Sequence, residues 1–203
     1  MRALFSQEGL GERVAFHHRT GGVVDCLSSF EKGPDAVSLV MLGRRGENAD
    51  LAKEHLGSTM ERVVRASTQP CLVTPRQFAP LKSMVLAYDG SPSATKALHW
   101  LIQAKEFKDL AVHLVSVAGS AKSDMASQRL AEGEGLLKTG GWKPVCQLLT
   151  GEPGDAIVEY VTQKKIDWLM IGAYGHSSLR RLLIGSTTTD LIRRCHVPVM
   201  MFR

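Results

Sequence analysis

The chain has 203 residues, of which 44% are apolar, 22% charged and 6% aromatic, with a formal net charge of +5. That balance excludes a disordered chain, a collagen and a membrane bundle, and the length suits one domain or one and a half. No apolar run approaches the roughly 20 residues of a membrane helix, and the first residues lack the apolar stretch of a secretory signal. A cytoplasmic protein without membrane insertion is therefore expected. Cys26, Cys71, Cys146 and Cys195 form no C-x-x-C pair and read as reduced thiols, not metal ligands. No dense basic run is interleaved with aromatics, so no nucleic acid is expected as partner; mild basicity suits a protein that holds a phosphate anion.

In chain order, His17 and His18 fall on an expected strand, read as packing plus one exposed ring, and 39–42 and 71–74 read as further strands. Pro75 and Pro80 place a linker at 76–80. From there strands and helices alternate cleanly. An apolar strand over 84–88 is followed by Asp89-Gly90-Ser91-Pro92, with Ser91 as helix cap and Pro92 at the first helical position. Ala94, Ala97, Leu98 and Leu101 then recur at the spacing of one buried helical stripe. A strand over 110–117, a helix over 123–137, a strand over 145–149 and a helix over 155–164 follow. A strand over 168–171, a long glycine-marked loop, a helix over 186–194 and a strand over 197–202 complete the series. This alternation predicts an α/β fold: an open parallel sheet with helices on both faces.

The first part of the chain repeats the last. Thr20-Gly21 matches Thr150-Gly151, Asp25 matches Asp155, and Met41-Leu42-Gly43 matches Met170-Ile171-Gly172. Gly57-Ser58-Thr59 matches Gly185-Ser186-Thr187, and Pro70 matches Pro198, with two one-residue insertions. The first copy starts late and lacks the counterparts of the first two strands. The reading is a partial domain at 1–75, a linker at 76–80 and a complete domain at 81–203.

The segment with the most chemistry holds Gly172, Gly175, Gly185 and Ser186 in the pattern G-x2-G-x9-G-S. Its glycines let backbone approach a ligand closely. It leaves the carboxyl end of a strand, where open parallel sheets bind ligands. It ends at a helix N-terminus, where unpaired N–H groups favour an anion, with Ser186 adding a hydroxyl. The pattern is neither a Walker A loop nor a dinucleotide fingerprint. Asp89, closing the strand over 84–88, reads alone as a helix cap and beside the glycine signature as a ligand group. Arg180, Arg181 and His176 lie in the loop and are left out of the site.

These residues, with the V-L-A-Y-D-G-S run that contains Asp89, resemble the universal stress protein family of the nucleotide-binding type. The resemblance covers 81–203, and 1–80 resembles the last part of a second such domain. It implies the universal stress protein (adenine nucleotide alpha hydrolase-like) fold with strand order 3-2-1-4-5, in a protein that is usually dimeric. It also implies ATP, with Mg, as ligand. Asp89 would meet the adenine or ribose end, Val117 would offer backbone to adenine, and Ile171, Gly172 and Gly175 would line the ribose and first phosphates. Gly185, Ser186 and Thr187 would hold the phosphates. Family members usually carry His where this chain has Ser116, a departure that spares the expected ligand groups.

In the partial copy Gly43 and Gly46 are followed by Gly57-Ser58 at a spacing of ten rather than nine, and Ser58-x-x-Glu61 is a capping box. With the base-binding strands missing, no nucleotide is expected there. Three functions compete: a regulatory ATP-binding module in stress response with an unknown signalling partner, a slow ATPase, and a nucleotide-independent dimerisation partner. No motif supplies a positioned base or an electrophilic lysine for turnover, so no catalytic residue and no metal ligand are assigned. Strands 39–42 and 71–74 add a structural expectation. The first should present an open edge and the second should pair with 197–202, so that self-association, or pairing between the two copies, follows.

Overall fold

Met84, Val85 and Leu86 are all buried, as they must be in a parallel strand covered on both faces. The computed structural model describes residues 13–32, 36–44, 58–75, 77, 79–119, 123–173 and 186–203. In chain order the elements are α1 (Val23–Phe30), β1 (Val40–Gly43), α2 (Ser58–Ala66), β2 (Cys71–Thr74), β3 (Ser83–Ala87), α3 (Pro92–Gln103) and β4 (Ala111–Ala118). They continue with α4 (Ser123–Thr139), β5 (Val145–Thr150), α5 (Pro153–Gln163), β6 (Trp168–Gly172), α6 (Ser186–Arg194) and β7 (Val199–Phe202). The strands form one sheet in the order β1-β2-β7-β6-β3-β4-β5. Each neighbouring pair is parallel except β2 with β7. From β5 to β7 this is the expected order 3-2-1-4-5.

Helices cover both faces. On one, Ala94, Ala97, Leu98 and Leu101 of α3 and Leu137 of α4 pack on Met84, Leu86, Leu114, Met170 and Met200. The α3 N-terminus is built as its residues predict: the Ser91 hydroxyl accepts from the Ala94 N–H at 3.2 Å, and Pro92 takes the first position. Helix α4 can press onto the sheet because Gly133 has no side chain; a Cβ there would lie 3.0 Å from the Tyr88 ring and 3.1 Å from Leu114. On the other face, Ile157, Tyr160 and Val161 of α5, Leu191 and Ile192 of α6, and Met60, Val63 and Val64 of α2 cover Val85, Val115, Leu169, Ile171 and Val73. At the amino edge the Asp167 carboxylate accepts from the Lys82 and Ser83 N–H groups, both at 3.0 Å, and so sets the start of β3 beside β6.

Strand β2 pairs antiparallel with β7, Cys71 opposite Met201, Leu72 opposite Met200 and Val73 opposite Val199, which is the expected contact between 71–74 and 197–202. Two arginines reinforce the junction reciprocally. The Arg44 guanidinium donates to the carbonyl of Cys195, just past α6, and Arg203 donates to the carbonyl of Arg65 in the last turn of α2 at 2.7 Å. Each places a cation at the negative end of a helix in the other half, worth about 0.3–1 kcal/mol. All four cysteines are free thiols, and burial pushes that of Cys195 up to about 11, which keeps it protonated.

The expected strand at His17 and His18 does not form; residues 14–20 are irregular. The physical reason is local. The His17 ring stands edge-on to Phe30 at 5.1 Å and Arg19 lies over the same ring, so this segment packs on α1 instead of entering the sheet. Helix α1 is held by Glu31, whose carboxylate accepts from the Ser67 hydroxyl, the Thr68 N–H at 3.0 Å and the Thr68 hydroxyl at 2.9 Å. Burial pushes the Glu31 pKa up, but these hydrogen bonds outweigh it and hold it below the usual value. A depressed carboxylate stabilises the fold above its unfolded pKa and loses that contribution as pH falls through its folded one. Glu31→Gln should therefore cost about 1 kcal/mol at neutral pH. In denaturant melts the gap to wild type should close as pH falls below about 4; an equal gap at both pH values would contradict this role.

Candidate functional site

In the ladder between β3 and β4 the Tyr88 N–H still donates to the Val115 carbonyl at 2.8 Å, but the Tyr88 carbonyl takes the buried Ser116 hydroxyl at 2.6 Å. The chain then turns. The Asp89 carboxylate accepts from the Ser91 N–H at 2.9 Å, Gly90 adopts φ +72°, and Ser91 caps α3. Asp89 is thus fixed at a strand-to-helix corner with its side chain exposed. The structure makes Asp89 a turn residue rather than the helix cap, which is Ser91, and leaves its side chain exposed. Ser116, the departure from the family pattern, is a buried clamp on the same corner.

Val117 lies one residue before the end of β4. Backbone groups alternate in direction along a parallel ladder, and Val115 uses its carbonyl toward β3. The Val117 N–H and C=O therefore point to the same side, into the space that the chain vacates after Tyr88. Its side chain packs with the core beneath α5 and α6.

Across β3, the end of β6 supplies Ile171 and Gly172. Ala87 pairs with both Val115 and Ile171, so Asp89, Val117 and Gly172 gather at the carboxyl ends of three adjacent strands. Ile171 is buried. Since Leu169 donates to Pro198 and Ala173 to Phe202, Ile171 directs its backbone to β7. It supports the site from below. Gly172 faces β3, and its lack of a side chain has a local cause. A Cβ there would lie 2.6 Å from the Ala94 nitrogen, 2.7 Å from the Ser93 hydroxyl and 3.1 Å from the Ala94 Cα. The first turn of α3 is seated directly on it.

Helix α3 leaves β3 toward one face and α6 follows β6 on the other, so a crevice opens at the carboxyl ends of β3 and β6, the position where open α/β sheets bind ligands. Thr187 is half-buried in the first turn of α6 beside Gly154, at the start of α5. Arg194 bridges Asp155 at 2.6 Å and Asp190 at 2.7 Å, tying the two helices together. Gly175 and Gly185, with His176, Arg180 and Arg181, lie outside the described residues, as does the Ser186 side chain; Ser186 begins α6. Gly46, Gly57 and the Ser58 side chain of the capping box also lie outside them. One group escaped the sequence reading. The Arg129 side chain of α4 lies over Gly90, where a Cβ would meet it at 3.2 Å, so a cation stands at the Asp89 corner. In sequence it is one of several charges on a helix, and nothing local marks it.

The sequence model of the universal stress protein family matches residues 80–203. The chain belongs to the universal stress protein family. It is 41% identical over 192 residues to universal stress protein Slr1230 of Synechocystis sp., covering 95% of this chain and 66% of the relative. A universal stress protein structure from Archaeoglobus fulgidus superposes with a TM-score of 0.69 at 24% identity, covering 89% of this chain and 64% of that one. A universal stress protein solved in complex with cAMP gives a TM-score of 0.52 at 22% identity, covering 62% of this chain and 99% of that one. The chain thus spans about two thirds of the length of the first two. The two structural likenesses speak to the fold.

Because the neighbours of Gly172 are helix backbone, they cannot yield as a flexible side chain would. Gly172→Ala should destabilise the protein by about 3 kcal/mol, at the upper end of overpacking costs. Urea unfolding of the variant checks this; unchanged stability would mean α3 does not seat on β6 as described.

Proposed function

We propose that this universal stress protein binds ATP at the carboxyl edge of its 81–203 domain and acts as a regulatory or signalling module. The observation that carries this reading is the gathering of Asp89, the backbone of Val117 and the β6 end at Gly172 at the carboxyl ends of three adjacent strands, the switch point where open α/β sheets bind ligands. The residues fit an adenine nucleotide in kind. A backbone N–H and C=O side by side match the donor and acceptor edge of adenine, and a carboxylate accepts from an amino group or ribose hydroxyls. Gly175, Gly185, Ser186 and Thr187 would offer N–H groups and hydroxyls to the phosphates at a helix N-terminus. Magnesium would ride on the phosphate oxygens. The family's structure in complex with cAMP lends support to an adenine nucleotide as the ligand class. We read 1–75 as the partial copy and 81–203 as the complete domain; the common register of β1 with β2 and of β6 with β7 supports that division.

Mass spectrometry of ligand released from freshly purified protein should find ATP or a related adenine nucleotide in near-stoichiometric amount. In calorimetry Gly175→Val should abolish ATP binding, because a branched side chain would stand in the phosphate path. Ser186→Ala should weaken it by about 1.5–3 kcal/mol, the loss of one hydrogen bond to a charged group. Equal affinity of Gly175→Val and wild type would overturn the assignment. ADP released over hours would turn the module into a slow ATPase.

A further inference from the structure

Strands β1 and β2 reproduce β6 and β7 in register. Val40 pairs with Cys71, Met41 with Leu72 and Gly43 with Thr74, as Leu169 pairs with Val199, Met170 with Met200 and Gly172 with Phe202. Val40 donates to the Pro70 carbonyl at 2.9 Å where Leu169 donates to that of Pro198 at 3.0 Å. Met60, Val63 and Val64 are buried in α2 where Thr188, Leu191 and Ile192 are buried in α6. The antiparallel contact obeys the same exchange: Leu72 faces Met200, and Cys71 with Met201 becomes Val73 with Val199. A local two-fold axis therefore passes between Leu72 and Met200.

The two halves match beneath α2 and α6 and differ most on the opposite face. Toward α2 and α6 both are packed in one core. On the opposite side Met170 and Met200 are 0% exposed under α3, whereas Met41, the mate of Met170, is 62% exposed. The edge differs too. Val40 and Arg44 donate to β2, so Met41 and Gly43 direct their N–H and C=O outward. Their mates on β6 face β3, whereas among the described residues no strand pairs with this edge of β1. Open edge and bare face coincide, and the axis carries β3–α3 onto that place. A hollow of about 180 Å³ on the flank of α3, lined by Thr68, Pro70, Lys96, Trp100, Phe202 and Arg203, lies where a mate of α3 would meet it.

We propose that the β1 edge is a docking surface for a strand–turn–helix unit of a partner polypeptide: an apolar strand that adds parallel to β1, followed by a helix with small residues in its first turn. The strand takes the outward groups of Met41 and Gly43. The helix covers Met41 and Leu72. Small residues are required because Gly43 stands where Gly172 admits Ser93 and Ala94 of α3. A second copy joining edge to edge would pair β1 with β1 antiparallel and leave Met41 uncovered, so it satisfies only half of the surface.

The test uses the full chain and a peptide of its own residues 81–104, the β3–α3 segment, as probe, read by site-resolved amide exchange and fluorescence anisotropy. Excess peptide should slow exchange at Met41 and Gly43 at least tenfold and leave Leu42 and Arg44, already bonded to β2, nearly unchanged. Met41→Pro removes an outward N–H that β2 does not use and should abolish peptide binding; Met41→Lys should weaken it about tenfold through the covered face. Unaltered exchange at Met41 and Gly43, or wild-type affinity in both variants, would overturn the proposal. So would concentration-dependent protection of the two amides without peptide, which would assign the edge to a second copy.

Discussion

The structure depends on the three residue pairs that join β2 to β7. Two strands alone make no stable sheet in water, and β1 with β2 would be such a pair. By running antiparallel to β7, β2 places Cys71 and Val73 in the same core as Val199 and Met201. Helix α2 can then bury Met60, Val63 and Val64 beside Leu191 and Ile192. The reciprocal arginine contacts, Arg44 to Cys195 and Arg203 to Arg65, follow from this junction, since each reaches a helix end that only the other half supplies.

A second constraint shapes the candidate site. The corner after β3 has to admit Asp89, start α3 and leave β6 room beneath the helix. Ser116 holds the Tyr88 carbonyl, Ser91 caps α3, and Gly172 accepts its first turn without a side chain. Ser91 and Ser116 are buried, whereas the Asp89 side chain stays exposed at the corner. Neighbours at the end of β6 thus divide their roles: Ile171 belongs to the core and turns its backbone to β7, and Gly172, one residue on, faces β3 and seats the first turn of α3.

Much of this was legible in residue order. The alternation of apolar runs with capped helical stripes gave the parallel sheet, since both periods are local properties of the chain. Ser91 with Pro92 marked the α3 start, and the spacing of Gly172, Gly175, Gly185 and Ser186 marked the family, because tight turns and helix termini demand particular residue types. The pairing of 71–74 against the last strand was readable too, from the matches between the first part of the chain and the last. The strand expected at His17 and His18 was not sound, because a few apolar and aromatic residues suit a strand or a packed coil equally well until their neighbours are known.

By itself, then, the sequence determined the fold class, the strand order implied by its family resemblance, and the glycine-marked segment on which a ligand reading rests. Tertiary structure alone decided that Gly172 is a seat for α3, that Ile171 turns its backbone to β7, and that Arg129 lies over the Asp89 corner. It also decided that Met41 stays bare while its mate Met170 is sealed. Each of these depends on which distant segment arrives on a given face, and that is a property of packing across the sheet rather than of local order along the chain.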